Sequence, residues 1–433
     1  MNKTIAYYSL GCKVNLYESE SLINKFVDLG FTLKNFNEKC DVYIINTCTV
    51  THVGDSKSRK IIREAVKNNK DAVIAVMGCY ASLKLDDILK IDGVDIVVGT
   101  HNRNKIVEMV LEKLENKEKS VNTDYFVDSL KVKEFEEMKI DRYSDKTRGF
   151  VKIQDGCDNY CAYCTVPFAR GHCRSRKVED CVEEITKLTN NGMKEIVLSG
   201  INTGAYGKDL GISLDTLLKE IVKIENLGRI RISSIEESEI TTSLLDVIKE
   251  NEKHFCTHFH IPLQGASDNT LKRMGRKYDL KTYKSKIELI RSYFPLCNIT
   301  VDILAGFSGE TKEDFEEGLK FIDSMNFGEM HVFPYSRRER TRAYNFDGIV
   351  DPITKKMRVN ELLSLNERKA LEYRKMFLNK KVEVLVEKNI GGKCFGHSSN
   401  YLEVEFLSNA KENDIVNVEI IKVGYPKCIG KEA

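Results

Sequence analysis

Six of the thirteen cysteines fall into two groups of three. Cys157, Cys161 and Cys164 share one short stretch, Gly156-Cys157-Asp158-Asn159-Tyr160-Cys161-Ala162-Tyr163-Cys164. Cys12, Cys48 and Cys79 are distant in sequence, yet each follows an apolar, β-branched run of strand length. Thiolates are soft ligands that suit iron–sulfur clusters or zinc. Three thiolates on four irons leave one iron open to a molecule that reacts. Two such sites in one chain point to an enzyme.

A chain of 433 residues has room for two or three domains with buried cores. No apolar run reaches the length of a membrane span, which argues against a membrane partner. Met1 to Leu16 carries an early Lys and no sustained apolar stretch, so no export signal is expected. A cytoplasmic location follows, with reduced thiols used for metal or catalysis rather than disulfides. The net charge of +2 is nearly neutral. A nucleic-acid partner would have to be held by local basic patches.

The first third alternates strands (residues 4–10, 42–46, 72–77 and 94–98) with helical periodicity (16–30, 53–69 and 104–116). This is the pattern of a doubly wound parallel sheet covered by helices. Functional groups gather at the carboxyl ends of such strands, where Cys12, Cys48 and Cys79 stand. Residues 117–146 turn rich in Lys, Glu and Asp and read as a linker. A second series follows, with strands at 150–154, 195–199, 229–233, 257–263, 298–305 and 329–334. Its helices are expected at 178–191, 214–225, 282–294, 312–325 and 352 to about 377. Six units fit a partial (β/α)6 barrel, since eight usually take about 250 residues. Short alternating runs at 382–387, 401–406 and 415–421, with a Gly391-Gly392 turn, predict a small antiparallel β-barrel. The expected division is 1–116, a linker at 117–146, 147–377 and 378–433. The last segment has eight Lys against eight acidic residues, so its charge does not identify RNA.

Cys157, Cys161 and Cys164 resemble the signature of radical S-adenosylmethionine (SAM) enzymes. The resemblance implies a [4Fe–4S] cluster whose open iron is chelated by the amino and carboxylate groups of SAM, with Tyr163 beside the adenine. A structural zinc completed by His172 or Cys173 is the alternative. It fits less well, because the motif opens a βα series rather than closing a small finger. Leu10-Gly11-Cys12-Lys13-Val14-Asn15, Asn46-Thr47-Cys48-Thr49-Val50-Thr51 and Gly78-Cys79-Tyr80 resemble the amino-terminal domain of the methylthiotransferases. There three cysteines hold an auxiliary [4Fe–4S] cluster that carries the sulfur to be inserted. A lone strand-end Cys is more often a buried core residue, but three in matching motifs reverse that reading.

Later strand ends extend the resemblance. It implies cofactor contacts from Gly200 and Asn202 after the second barrel strand, Ser234 and Glu236 after the third, and Gly306 after the fifth. Ser308 stands where the family usually has Pro, and Gly265-Ala266 where Ser-Gly is usual. Basic residues crowd the same loops: Arg170 to Lys177, Lys272 to Lys277 and Arg337 to Arg342. Such runs are often only solvated surface. Their position at strand ends favours phosphate contacts, with Arg174, Arg176, Arg337, Arg338, Arg340 and Arg342 as RNA-binding candidates.

The first two motifs resemble the branch that acts on N6-threonylcarbamoyladenosine, 3′ of the anticodon in tRNA. The isopentenyladenosine branch usually shows Gly-Cys-Gln-Met-Asn, and the branch acting on ribosomal protein S12 shows Gly-Cys-Pro-Lys-Asn. The terminal barrel is similar to the TRAM module of RNA-modifying enzymes. The implied reaction uses one SAM for a methyl group and one for a radical, with attack at adenine C2. An electron donor of flavodoxin or ferredoxin type and a sulfur donor are implied partners. The competing non-enzyme reading is a zinc-stabilised RNA-binding protein.

Overall fold

The computed structural model describes residues 3–116, 120–143 and 147–433. Residues 117–119 and 144–146 of the expected linker lie outside that description. The chain divides into two compact units. One gathers Met1–Tyr143, Lys152–Arg176 and Ser336–Tyr344, and the other Ser144–Val151, Lys177–Tyr335 and Asn345–Ala433.

In the first unit a five-stranded parallel sheet runs in the order Thr32–Leu33, Thr4–Ser9, Val42–Thr47, Val73–Gly78, Ile96–Val97. Every residue of Val42–Thr47 and Val73–Gly78 is buried. That is the signature of strands covered on both faces, and it explains their unbroken apolar sequences. The covering helices include Lys13–Asp28, His52–Asn68 and Lys105–Asn116. Strand order reverses at Thr4–Ser9, which places a topological switch point between it and Val42–Thr47.

The described part of the expected linker is packed against this unit. Tyr17 donates to the Met138 carbonyl, and Ser21 Oγ to the Lys139 carbonyl at 2.9 Å. Met138 and Ile140 are fully buried. Their acidic and basic neighbours mask these two apolar anchors in the sequence.

The second unit contains two three-stranded sheets. One has the order Arg229–Ile232, Glu195–Ser199, Gly149–Lys152, and the other His258–His260, Asn298–Ala305, Glu329–Pro334. Parallel bridges Ile230 to Phe255 and Ser234 to His260 join them. The result is six consecutive strands with no pairing, among the described residues, between the first and the last. This is the expected partial barrel.

A closed barrel ends the chain, built from Lys381–Ile390, Lys393–Ser398, Glu403–Leu407, Ile415–Lys422 and Lys427–Glu432. Two of its five strands were not legible in the sequence. Each carries a mid-strand glycine, Gly396 or Gly430, that weakens the β signal. The barrel is fastened to the amino-terminal ends of the parallel strands. Arg229 donates to the His397 carbonyl at 2.9 Å and Arg231 to the Ser399 carbonyl at 3.0 Å. Both guanidinium groups also bind the buried Glu195 carboxylate, at 2.5 and 2.8 Å. Burial pushes the Glu195 carboxyl up, but Arg231 and Arg229 outweigh it and bring it down to about 2.

Candidate functional site

Cys12 caps the amino terminus of helix Lys13–Asp28, Cys48 follows strand Val42–Thr47, and Cys79 opens the short helix Cys79–Leu83. Cys12 and Cys48 therefore flank the switch point, and Cys79 leaves the next strand. The surrounding motif residues hold this arrangement. Asn15 donates to the carbonyls of Leu10 at 2.7 Å and Thr47 at 3.1 Å, tying the first two loops together. Asn46 returns a bond to the Asn15 carbonyl at 2.9 Å. Ser58 both donates to the Cys48 carbonyl and accepts from the Cys48 N–H. Gly11 adopts φ +97°, and a Cβ there would lie 3.1 Å from Cys48 Sγ. Glycine is what lets the two loops approach.

The three thiols share one electrostatic neighbourhood. Burial pushes Cys79 up to about 12, with Arg170 opposing and Cys48 and Cys12 adding to the rise. Burial and the neighbouring Cys12 likewise push Cys48 up. A metal that ligates the thiolates would displace those protons.

Cys157, Cys161 and Cys164 lie on the excursion between the paired segments Gln154–Asp155 and Arg174–Ser175. The Cys157 N–H donates to the Gly171 carbonyl at 3.1 Å, and the Cys164 N–H to the Cys161 carbonyl at 3.0 Å. Gly156 sits at φ +72°, where a Cβ would come within 1.9 Å of the His172 carbonyl oxygen. No other residue fits there. His172 and Cys173 are the candidate fourth zinc ligands. His172 Nδ1 lies 2.6 Å from Asp158 Oδ1, and Gln154 Nε2 donates to Cys173 Sγ at 3.2 Å.

Among the described residues, one trio of His, Cys or carboxylate groups has all its ligand atoms within 4.8 Å: His260, Asp302 and His331. His260 Nε2 pairs with Asp302 at 3.4 Å, and its Nδ1 meets Thr300 Oγ1 at 2.9 Å.

Between the two cysteine groups lies a buried ionic network. Arg170 is fully buried. Its Nη1 donates to Glu18 at 2.9 Å and Asp155 at 2.8 Å, and its Nη2 to Asn15 Oδ1 at 2.6 Å. Its Nε donates to Cys79 Sγ at 3.3 Å. Lys152 adds bonds to Glu18 at 2.9 Å and Asp155 at 2.6 Å, and Arg103 also pairs with Glu18. Burial alone would push the Glu18 carboxyl up. Arg103, Arg170 and Lys152 together hold it far below the usual carboxylate range. Removing one partner from such a set costs about 3–5 kcal/mol, because a buried charge is left uncompensated.

The other expected positions separate into distinct settings. Tyr163 is half-buried in the Cys157–Cys164 loop, and Asn202 is buried beyond strand Glu195–Ser199, next to the partly exposed Gly200. Ser234 bridges to His260, while Glu236 is ion-paired with the guanidinium of Arg276. The Gly306 N–H is bound by the Glu310 carboxylate at 3.2 Å.

Burial corrects the expected basic rim. Arg174 and Arg176 are buried, the first donating to the His172 carbonyl at 2.7 Å and the second to the Glu137 carboxylate at 2.8 Å. Arg338 is buried against Asp55 at 2.6 Å and Thr49 Oγ1 at 2.8 Å. A guanidinium so enclosed is unavailable to a phosphate. Arg340 and Arg342 are exposed and Arg337 is half-exposed, so these three can reach one. Arg342 also donates to the Tyr160 carbonyl at 3.2 Å. A cleft of about 140 Å³ opens beside this loop, lined by His52, Asp55, Lys84, Thr165, Arg338 and Arg340. Arg170 and Arg338 carried no sequence signal beyond their basic runs, because their partners are remote in the chain.

Residues 151–322 match the model of the radical SAM superfamily, and residues 4–99 match that of the uncharacterized protein family UPF0004. The chain is 39% identical to the threonylcarbamoyladenosine tRNA methylthiotransferase MtaB of Bacillus subtilis, covering 98% of this chain and 95% of that one. It is 36% identical to the MtaB of Aquifex aeolicus, over 88% and 92% of the two chains. It is also 33% identical to a tRNA-2-methylthio-N(6)-dimethylallyladenosine synthase of Alkaliphilus oremlandii, over 97% and 91%. The radical SAM methyltransferase TsrM of Kitasatospora setae, solved with cobalamin and a [4Fe–4S] cluster, shares the fold, with a TM-score of 0.58 at 15% identity over 79% and 77% of the chains. With both cysteine groups in place and full-length relatives above the 30% level, the chain belongs to the radical SAM methylthiotransferase family, whose members use SAM and two [4Fe–4S] clusters.

Proposed function

We propose that this enzyme methylthiolates C2 of the adenine in N6-threonylcarbamoyladenosine, 3′ of the tRNA anticodon, giving the 2-methylthio derivative. The observation that carries methylthiolation is the pairing, within one compact unit, of a three-cysteine loop with a second three-cysteine set at a sheet switch point. The Leu10-Gly11-Cys12-Lys13-Val14-Asn15 motif and the relatives named for threonylcarbamoyladenosine support that substrate.

Cys157, Cys161 and Cys164 would hold the cluster that binds SAM, and Cys12, Cys48 and Cys79 the auxiliary one. When bound, these groups supply one-electron chemistry at a C–H bond that no general base could activate, together with the sulfur to be inserted. The protein's part is placement. Asn15, Asn46 and Ser58 fix the auxiliary loops, and Gly156 and Gly171 fix the other. Tyr163, Gly200, Asn202, Ser234, Glu236 and Gly306 are the proposed cofactor-contacting positions. A cytoplasmic enzyme of this kind takes electrons from a flavodoxin or ferredoxin type donor and sulfur from a separate donor. No described helix is long and apolar enough to cross a membrane.

A second reading, isopentenyladenosine as substrate, is favoured by relatives named for the dimethylallyl nucleoside at 33–37% identity. Nucleoside analysis of tRNA from cells lacking the protein separates the two. Loss of 2-methylthio-N6-threonylcarbamoyladenosine with accumulation of its unthiolated precursor is expected. Loss of the isopentenyl analogue instead, or of S12 modification, would reassign the substrate.

A further inference from the structure

We propose that Arg170 is a positioning residue that sets the reduction potential of the auxiliary cluster through Cys79 and ties that cluster to the loop of the other. The inference rests on the reading of Cys12, Cys48 and Cys79 as cluster ligands. Three observations carry it. Arg170 is completely buried, so its charge is unscreened by water. Its Nε, 3.3 Å from Cys79 Sγ, can only donate, so the sulfur is the acceptor. Its four other contacts to Glu18, Asp155 and Asn15 lock the guanidinium plane, so the N–H is aimed rather than mobile.

The physics follows from charge. One-electron reduction adds a negative charge to a cluster, and a fixed cation with an N–H···S bond stabilises the reduced form more than the oxidised form. Hydrogen bonds to cluster sulfurs and the local net charge are established determinants of such potentials. Arg170 therefore raises the midpoint.

The same residue is built into the second site. Asp155, which accepts from Arg170, lies two residues before Cys157, and the adjoining Gly171 carbonyl accepts the Cys157 N–H. Asn15, which accepts from Nη2, lies 3.8 Å from Cys12 Sγ. Nothing in local sequence marks this role, because the partners lie 15 to 155 residues away.

The test is an EPR-monitored redox titration of the full chain carrying Arg170→Gln or Arg170→Lys. It is performed with Cys157, Cys161 and Cys164 replaced by Ala so that one cluster is read. Arg170→Gln should lower the midpoint at unchanged iron content, and Arg170→Lys should give a smaller shift of the same sign. If Arg170→Gln fails to fold, adding Glu18→Gln removes the orphaned carboxylate, and Arg170→Lys is read in any case. Should the cysteine replacements disturb the remaining cluster, the holoenzyme is titrated, with SAM addition marking the other cluster's signal. Midpoints equal to that of the unaltered chain in every Arg170 variant that keeps its cluster would overturn the proposal. Absence of any cluster on Cys12, Cys48 and Cys79 in the unaltered chain would instead overturn the ligand assignment beneath it.

Discussion

Arg338 donates to the Asp55 carboxylate at 2.6 Å across 283 residues of sequence. The same guanidinium reaches Thr49, whose neighbour is Cys48, and Thr49 Oγ1 donates in turn to Asp55 at 2.6 Å. The loop Ser336–Tyr344 thus clamps the Cys48 turn within the first unit. Ser336 Oγ adds a bond from the His52 N–H at 3.2 Å, and the Ala343 N–H reaches the Ala162 carbonyl at 2.9 Å.

Arg338→Ala should cost about 3–5 kcal/mol, since the nearly buried Asp55 would lose its ion-pair partner. Auxiliary iron should fall while the other cluster is retained. Thermal unfolding followed by circular dichroism, with iron analysis, measures both effects. Circular dichroism is the suitable probe because the chain has no tryptophan.

The two cysteine groups should separate functionally. Replacing Cys157, Cys161 and Cys164 by Ala should abolish reductive cleavage of SAM. Replacing Cys12, Cys48 and Cys79 should spare that cleavage and eliminate sulfur insertion. Assay of 5′-deoxyadenosine alongside the modified nucleoside distinguishes them. Persistent cleavage in the first variant would contradict the assignment.

Glu195 predicts the direction of acid sensitivity. Its carboxyl is lowered from 4.5 to about 2, so the folded state keeps the charge after the unfolded chain has protonated. The stabilisation is complete above about 4.5 and is lost as pH falls toward 2, amounting to about 3 kcal/mol. Glu195→Gln should lower stability at neutral pH, leaving Arg229 and Arg231 uncompensated, and should flatten the acid limb of the stability profile. Denaturant titrations from pH 7 to pH 3 test it. An unchanged acid limb would show that the ion set is not the source.

The exposed arginines should bind phosphate in a salt-dependent way. Neutralising Arg337, Arg340 and Arg342 together should weaken tRNA binding and reduce the salt slope by about three, roughly one per phosphate contact. Iron content should not change. Arg174→Gln and Arg176→Gln should leave the slope intact, because those side chains are enclosed by protein. Filter binding across a salt series reads both.

Much of this architecture was legible because periodicity and strand-end cysteines are local signals. Strands Glu195–Ser199, Asn298–Ala305 and Glu329–Pro334 coincide with the expected spans, being apolar runs between helical segments. Short helices such as Asp268–Met274 and Val166–Arg170 escaped, since fewer than two turns give little period to read. The roles of Arg170, Arg174, Arg176 and Arg338 were illegible for a different reason. An arginine in a basic run looks solvated, and only the fold brings Glu18, Glu137 or Asp55 to it. The cysteines needed no such partner, because each stands in a short local motif that can be matched to those of a known family.

The most direct measurement is iron, sulfide and zinc per chain after anaerobic purification and reconstitution of the unaltered protein and the two triple-Ala variants. Two independent [4Fe–4S] sites predict about eight irons in the unaltered chain and about four in each variant, with little zinc throughout. About four irons in the unaltered chain, or stoichiometric zinc at either group, would contradict the two-cluster assignment.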